Sequence, residues 1–394
     1  MIGLNRSAHG AVIAHLYTRG ISGLLAIAAL MTLLAGPAQA VTHRVLVVPR
    51  DFATIQAAVD AAAPGDTVNV GSGTYIEQVV INKDLNLRGA GAAATVIKAP
   101  TTLAPYGMRT GDNKPLSAIV RVGRQAHVHL SGLNVTGPVP CEDIDEGIGV
   151  VEDASLDVSD TRISNLVATG CAAEAYGMVF GVAPNYAING VPGGTTASGR
   201  VSHVVVDTFQ STGIVVVGPY GRAPSRVTLT DNTVTAGTPV NPADQVGIYI
   251  RLNAVAQVNG NTVSGGVCTY DGCGPDFISQ YQSFAAIVEG GGGTTFAGNH
   301  LSGADIGLLD YNSAGSTISG NTLVDNTMYG IFVGDTDAVT KNNTITGGRF
   351  GIGVWAFSQD TSELSSGDHI SGASVSATQT YECCGFHVSL TVKH

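Results

Sequence analysis

Asn299-His300-Leu301, Asn321-Thr322-Leu323 and Asn343-Thr344-Ile345 begin 22 residues apart, and the same Asn-led triplet stands at Asn232-Thr233-Val234 and Asn261-Thr262-Val263. A second phrase, a small residue followed by apolar residues, precedes each Asn by 13 or 14 positions. It reads Gly247-Ile248-Tyr249-Ile250, Gly307-Leu308-Leu309 and Gly330-Ile331-Phe332-Val333, and more weakly Ala285-Ala286-Ile287-Val288. Copies without the full Asn triplet occur at Gly147, Gly177 and Gly213. Strands rise about 3.3 Å per residue, so three short strands plus turns consume such a period. The repeat therefore predicts an all-β solenoid, a single-stranded parallel β-helix with coils of about 22 residues. Leucine-rich repeats share the period, but their Leu spacing is absent. Asn tolerates left-handed backbone and bonds to its stack neighbours, so Asn232, Asn261, Asn299, Asn321 and Asn343 read as a structural ladder.

Working outward, the N-terminal part runs Asp51-Phe-Ala-Thr-Ile-Gln-Ala-Ala-Val-Asp-Ala-Ala, then Pro64-Gly65-Asp66-Thr67-Val68, Gly73-Thr-Tyr-Ile-Glu-Gln-Val-Val-Ile and Leu85-Asn-Leu-Arg-Gly-Ala-Gly. It resembles the opening of pectinesterases and other pectin lyase-like proteins. That resemblance implies a right-handed helix whose first coil is capped by a short helix. Ile55, Ala58, Val59 and Ala62 fall on one helical face, as a cap over an open stack requires. The expected organisation is a signal peptide at 1–40, a β-helix at 41–360 with its cap at 41–66, and a repeat-free C-terminal cap at 361–394.

The leader reading rests on Arg6 and Arg19, an apolar run from Ile21 to Ala35, and the small-x-small site Ala38-Gln39-Ala40. Fifteen apolar residues fall short of the roughly 20 a membrane span needs. The expected address is secreted, extracellular or periplasmic, without membrane insertion after cleavage. Past residue 40 the chain carries 17 Lys and Arg against 30 Asp and Glu, a balance of −13. Such acidity excludes nucleic acid as a partner and disfavours simple electrostatic capture of polyanions, unless a local basic site overrides it. The chain is expected to be a monomer.

Six Cys in an exported chain point to disulfides. Cys268 and Cys273 share a Gly-containing loop and are expected to pair. Adjacent Cys383 and Cys384 are not expected to pair with each other, and Cys141 and Cys171 are left unassigned. No metal site is expected, since His127 and His129 alternate on one strand without a third ligand.

The repeat spacing locates insertions at Ala236–Gln245 and Gly265–Ser283, at one corner, and at Val182–Gly199 and Gly218–Ser225, at another. Loops on both sides would wall a groove over one sheet, and the family resemblance implies polysaccharide binding there. Counting back from each ladder Asn places Arg251, Glu289 and Tyr311 on neighbouring coils, with Asp310 and Asp335 near the row. In a functional reading Arg251 binds or polarises a sugar carboxylate while Glu289 or Asp310 moves a proton. Tyr249, Tyr311, Trp355 and the loop residue Tyr270 then supply stacking surface. In the plainer reading Arg251 and Glu289 are a cross-strand surface ion pair.

Signature motifs of pectinesterases, polygalacturonases, pectate lyases and alginate epimerases are absent. Asp276-Phe277-Ile278-Ser279 matches a pectinesterase segment for three residues only, and inside a long loop. No cofactor is evident, and calcium enters by resemblance alone. The sequence predicts a protein that binds, and in one form degrades or modifies, extracellular or envelope polysaccharide by lyase, esterase or hydrolase chemistry. The alternative is a noncatalytic surface scaffold or adhesin.

Overall fold

A computed structural model describes residues 43–140, 144–168, 174–237, 245–269, 273, 282–313 and 315–393. From Arg44 onward the chain coils into one unit. Among the described residues its strands form three sheets of 13, 11 and 14 strands. Sheet 1 runs from Val45–Val48 to Val388–Lys393, and sheet 2 from Gly73–Ile76 to His369–Ser371. Sheet 3 runs through Pro115–Val122, Gln245–Leu252, Ser283–Glu289, Ile306–Tyr311 and Phe350–Ala356 to Ser376–Glu382. Within the coils each strand pairs in parallel with its counterpart on the next one, as Thr322–Val324 pairs with Thr344–Thr346. This is the right-handed parallel β-helix that the repeat and the resemblance predict.

The alternation that sets the interior is plain on sheet 1. In Ser225–Thr230 the side chains of Ser225, Val227 and Leu229 are buried, and Arg226 is exposed. Ile248, Ala286, Leu308, Ile331 and Ile352 stack coil on coil in the core, all fully buried. Burying each large aliphatic side chain contributes about 1.5–3 kcal/mol. The recurring Gly of the second phrase is fixed by backbone approach. A Cβ at Gly330 would lie 2.3 Å from Ile345 Cγ2 and 2.9 Å from the Gly351 carbonyl oxygen.

The Asn ladder closes one corner. Asn261, Asn299 and Asn321 each donate their backbone N–H and Nδ2 to Oδ1 of the next Asn, at 2.9–3.0 Å. Asp368 ends the row, accepting from the Asn343 backbone N–H and Nδ2 at 2.8 Å each. One expectation needs correcting here. The left-handed backbone belongs to the preceding residue, Asp231, Gly260, Gly298, Gly320 or Asn342, and not to the ladder Asn. The Asn serves through its amide, which bridges to the next coil.

The helix Ile55–Ala61 covers the first coil, with Thr54 Oγ1 accepting from Ala57 N–H at 3.1 Å and the Glu77 carboxylate accepting from Ile55 and Gln56 N–H at 2.9 Å. Residues 361–393 differ from the repeat-free cap expected of them. Thr361–Ser366, His369–Ser371, Ser376–Glu382 and Val388–Lys393 continue all three sheets in register. Their polar, Ser- and Thr-rich strands hide the repeat, since from His369 onward their side chains are exposed or half-buried and show no buried apolar pattern of a core.

Cys268 and Cys273 are joined, with Cα atoms 5.7 Å apart. Contrary to expectation, Cys383 and Cys384 also pair with each other. Cys384 takes a left-handed backbone conformation in a turn closed by Phe386 N–H on Cys383 O, which turns both thiols to the same side. Residues 1–40, Cys141, Cys171, Tyr270, Asp271, Asp276 and Tyr281 lie outside the described residues. No described helix is long and apolar enough to cross a membrane.

Candidate functional site

The outer face of sheet 3 is built from three columns, each stacked coil on coil. The first is the residue immediately before each small residue of the second phrase: Glu146, Tyr176, Thr212, Val246, Phe284, Ile306, Tyr329 and Phe350. A second column includes Val215, Tyr249, Ile287, Leu309 and Phe332. The third runs Val217, Arg251, Glu289, Tyr311, Gly334, Trp355 and Tyr381. Arg251, Glu289 and Tyr311 are therefore neighbours in the register that the Asn spacing predicts.

Their contacts are specific. Arg251 Nη2 lies 4.0 Å from Glu289 Oε2, and both side chains are more than a third exposed. The Arg251 guanidinium sits over the Tyr249 ring, 5.0 Å from its centroid, and the Tyr249 hydroxyl donates to Glu289. An exposed cation on an aromatic face contributes about 0.5–1 kcal/mol. Gly334 leaves the space that the Tyr311 ring occupies: a Cβ there would lie 3.0 Å from Tyr311 Cδ2. Trp355 packs on Phe332, Phe357 and Tyr381 with ring centroids 5.4, 5.3 and 4.8 Å away.

Asp310 does not join this row. It points into the solenoid, wholly buried, and accepts from Ser316 Oγ at 3.1 Å. Burial pushes its carboxyl from an ordinary 3.8 up to about 6. A side chain one position from an outward residue faces inward by strand alternation, so Asp310 is no proton carrier for a ligand on the outer face. Asp335 is also buried, and its carboxylate holds the Phe357–Ser358 turn through backbone N–H groups at 2.7 and 3.0 Å.

Toward the N-terminal coils the columns open into a cavity of ≈ 310 Å³, lined among others by Glu146, Glu174, Tyr176, Tyr186, Tyr249 and Arg251. Its wall is the Val182–Gly199 insertion, in which Tyr186–Ile188 pairs antiparallel with both Gly107–Arg109 and Val191–Pro192. Glu174 accepts from Arg109 Nη1 at 2.8 Å and from the Tyr176 hydroxyl at 2.7 Å. Glu146 accepts from the Tyr106 hydroxyl at 2.7 Å. Burial, with Asp145 adjacent, pushes the Glu146 carboxyl well above the usual range and favours its neutral form. Burial likewise raises Tyr176, with Glu174 adding to the effect.

The cavity thus offers aromatic faces, a guanidinium and hydroxyl donors, and no lining carboxylate without a protein partner among the described residues. Sequence reasoning missed Glu146, Glu174, Tyr176 and Tyr186. The first-column signal was present, since Glu146 and Tyr176 directly precede Gly147 and Gly177. Calcium, implied by resemblance alone, finds no group of three or more His, Cys, Asp or Glu to hold it among the described residues.

A family model described as a right-handed beta helix region matches residues 146–367, more than half of the chain. No curated protein matches by sequence. Among solved structures the chain is similar to the A-modules of two mannuronan C-5 epimerases of Azotobacter vinelandii. For AlgE6 the identity is 17%, the TM-score 0.50, and 86% of this chain covers 94% of that one. For AlgE4 the values are 12%, 0.52, 86% and 95%. It is also similar to tailspike protein 2 of Escherichia coli O157:H7 bacteriophage CAB120, at 13% identity and a TM-score of 0.55 over 84% of this chain and 43% of the tailspike. At these identities the likeness shows the fold alone.

Proposed function

Starting from a chain that belongs to the right-handed β-helix family, we propose that it is an exported protein that binds polysaccharide along the outer face of sheet 3. The observation that carries this reading is the walled cavity, where Arg251 and Tyr249 meet Tyr176 and Tyr186. One sugar ring fits there, with aromatic faces against its apolar side and Arg251 on a carboxylate or hydroxyl. Tyr311, Trp355 and Tyr381 continue the surface along the same column, in the direction an extended glycan would run. The similar epimerase modules act on mannuronan by name, which supports a glycan as the ligand class.

The test is a polysaccharide panel with the protein beginning at Val41, read both for retention and for new reducing or unsaturated ends. Arg251→Ala is expected to weaken the best hit about tenfold or more, because a charge-assisted hydrogen bond is worth about 1.5–3 kcal/mol. Unchanged retention in that variant would sink the reading. A specific observation favours a noncatalytic scaffold as the second reading: Glu146, Glu174 and Glu289 are each engaged by a tyrosine hydroxyl. Retention without new chain ends is its expected signature.

A further inference from the structure

Sheet 1 carries a separate trough of ≈ 450 Å³ on its outer face, lined by Asn86, Arg88, His129, Asp157, Arg200 and a floor of serines. Two columns make it. Asn86, His129, Asp157 and Arg200 stack on successive coils, and beside them Arg88, Ser131, Ser159 and Ser202 do the same. Short hydroxyl side chains form the floor, and the two arginines stand at opposite ends, three coils apart.

Among the described residues the guanidiniums of this trough lack the carboxylate partners that several other arginines have. Six other arginines, Arg44, Arg50, Arg109, Arg121, Arg162 and Arg251, each meet a carboxylate. Asp157 is the only carboxylate lining the trough among the described residues, and neither of its oxygens pairs with a guanidinium. Oδ1 accepts the Arg200 backbone N–H at 3.1 Å, and Oδ2 lies 3.7 Å from His129 Nδ1. Neither the Arg88 nor the Arg200 guanidinium has an ion pair among the described residues, and both side chains are exposed.

The geometry points to a second glycan site here, one that takes a short carboxylate-bearing oligosaccharide. It rests on the reading of the protein as a polysaccharide binder and adds a ligand chemistry to it. Each unpaired guanidinium presents a planar fork that matches a carboxylate with two parallel N–H donors. Between them the serine row and Asn86 supply donors and acceptors for ring hydroxyls. Coils repeat every ~4.8 Å, close to the length of one pyranose, so two arginines three coils apart span about three sugar units. Such a trough is the local basic site that lets an otherwise acidic chain hold an acidic glycan.

The experiment is calorimetric titration, at low salt, of a galacturonate trisaccharide and its carboxyl-reduced neutral counterpart. It uses four proteins: the parent, Arg251→Ala, the pair Arg88→Gln with Arg200→Gln, and all three together, each checked for an unchanged circular dichroism spectrum. With Arg251→Ala the acidic trisaccharide should still bind, and adding Arg88→Gln and Arg200→Gln should weaken it at least about tenfold. The neutral sugar should bind the trough poorly in every protein. Loss of all acidic-sugar binding in Arg251→Ala alone would overturn the second site and leave sheet 3 as the binder. Equal binding of acidic and neutral sugars in Arg251→Ala would overturn it too. Full binding in Arg251→Ala that vanishes with the sheet 1 pair would support the second site while removing the sheet 3 reading.

Discussion

Raising the pH from 5 to 8 should destabilise this protein, and Glu363→Gln should remove a defined part of that loss. Glu363 lies in the sheet 1 strand Thr361–Ser366 with its side chain inside the solenoid, 2% exposed. Thr340 Oγ1 stands 2.5 Å from Glu363 Oε1 and 2.6 Å from Asp368 Oδ2. One hydroxyl proton serves only one of these acceptors. Asp368 already accepts from Ser365 Oγ, Asn343 Nδ2 and the Asn343 N–H. Thr340 therefore satisfies Glu363 only in part, and the second carboxyl oxygen, Glu363 Oε2, is buried without a hydrogen-bond partner, so burial favours the protonated acid. Burial pushes its carboxyl from an ordinary 4.5 up to about 7, opposed in part by Thr340. The folded protein keeps this proton up to about pH 7, whereas the unfolded chain releases it near 4.5. Between those values the unfolded state binds fewer protons, so stability falls as pH rises, and the loss levels off above 7. A gap of 2.5 units at 1.36 kcal/mol each amounts to about 3 kcal/mol. Asp310, raised from 3.8 to about 6 by burial, acts in the same direction at lower pH. Urea unfolding of parent and Glu363→Gln at half-unit steps from pH 4.5 to 8 measures the difference. Glutamine preserves the shape and accepts from Thr340 without titrating, so its profile should be flatter by about that amount. Parallel profiles for the two proteins would refute the protonated interior acid.

Asn321→Ala removes an amide that receives the Asn299 backbone N–H and Nδ2 and donates to Phe296 O and Asn343 Oδ1. Each buried group left unpaired costs about 1–3 kcal/mol, so urea unfolding should show a loss of at least about 2 kcal/mol. Arg251→Ala, by contrast, should leave the melting temperature nearly unchanged, because an exposed ion pair contributes about 0–1 kcal/mol; a large drop would show that Arg251 is structural. N-terminal sequencing of exported protein should begin at Val41, and recovery of an intact leader would contradict the export reading.

What the sequence disclosed and what it hid follow from one geometric fact, the period of two along each strand. The 22-residue spacing of Asn299, Asn321 and Asn343 gave coil length and register together, and so placed Arg251, Glu289 and Tyr311 side by side. Alternation from Ile248 and Ile250 set Tyr249 and Arg251 outside, but the same rule turns Asp310 inward beside Val288 and Val333. A polar residue offered no warning, since interiors also admit carboxyls that keep their protons. At the small residue of each repeat the count fails in the opposite sense. Val246 and Ile248 are two apart, yet Val246 joins the outer cluster while Ile248 is in the core. The backbone bends at Gly247, where a Cβ would lie 2.5 Å from the Ala285 carbonyl oxygen. The corresponding interruptions of the ladder at Gly147 and Gly177 carry Glu146 and Tyr176 to the outer face, where the cavity forms. A strictly alternating pattern assigns them to the core. The residue before the glycine is thus the position where this fold exchanges a core side chain for a surface one. The charged and aromatic members of that column, rather than its apolar ones, mark where a coil is used for binding instead of packing.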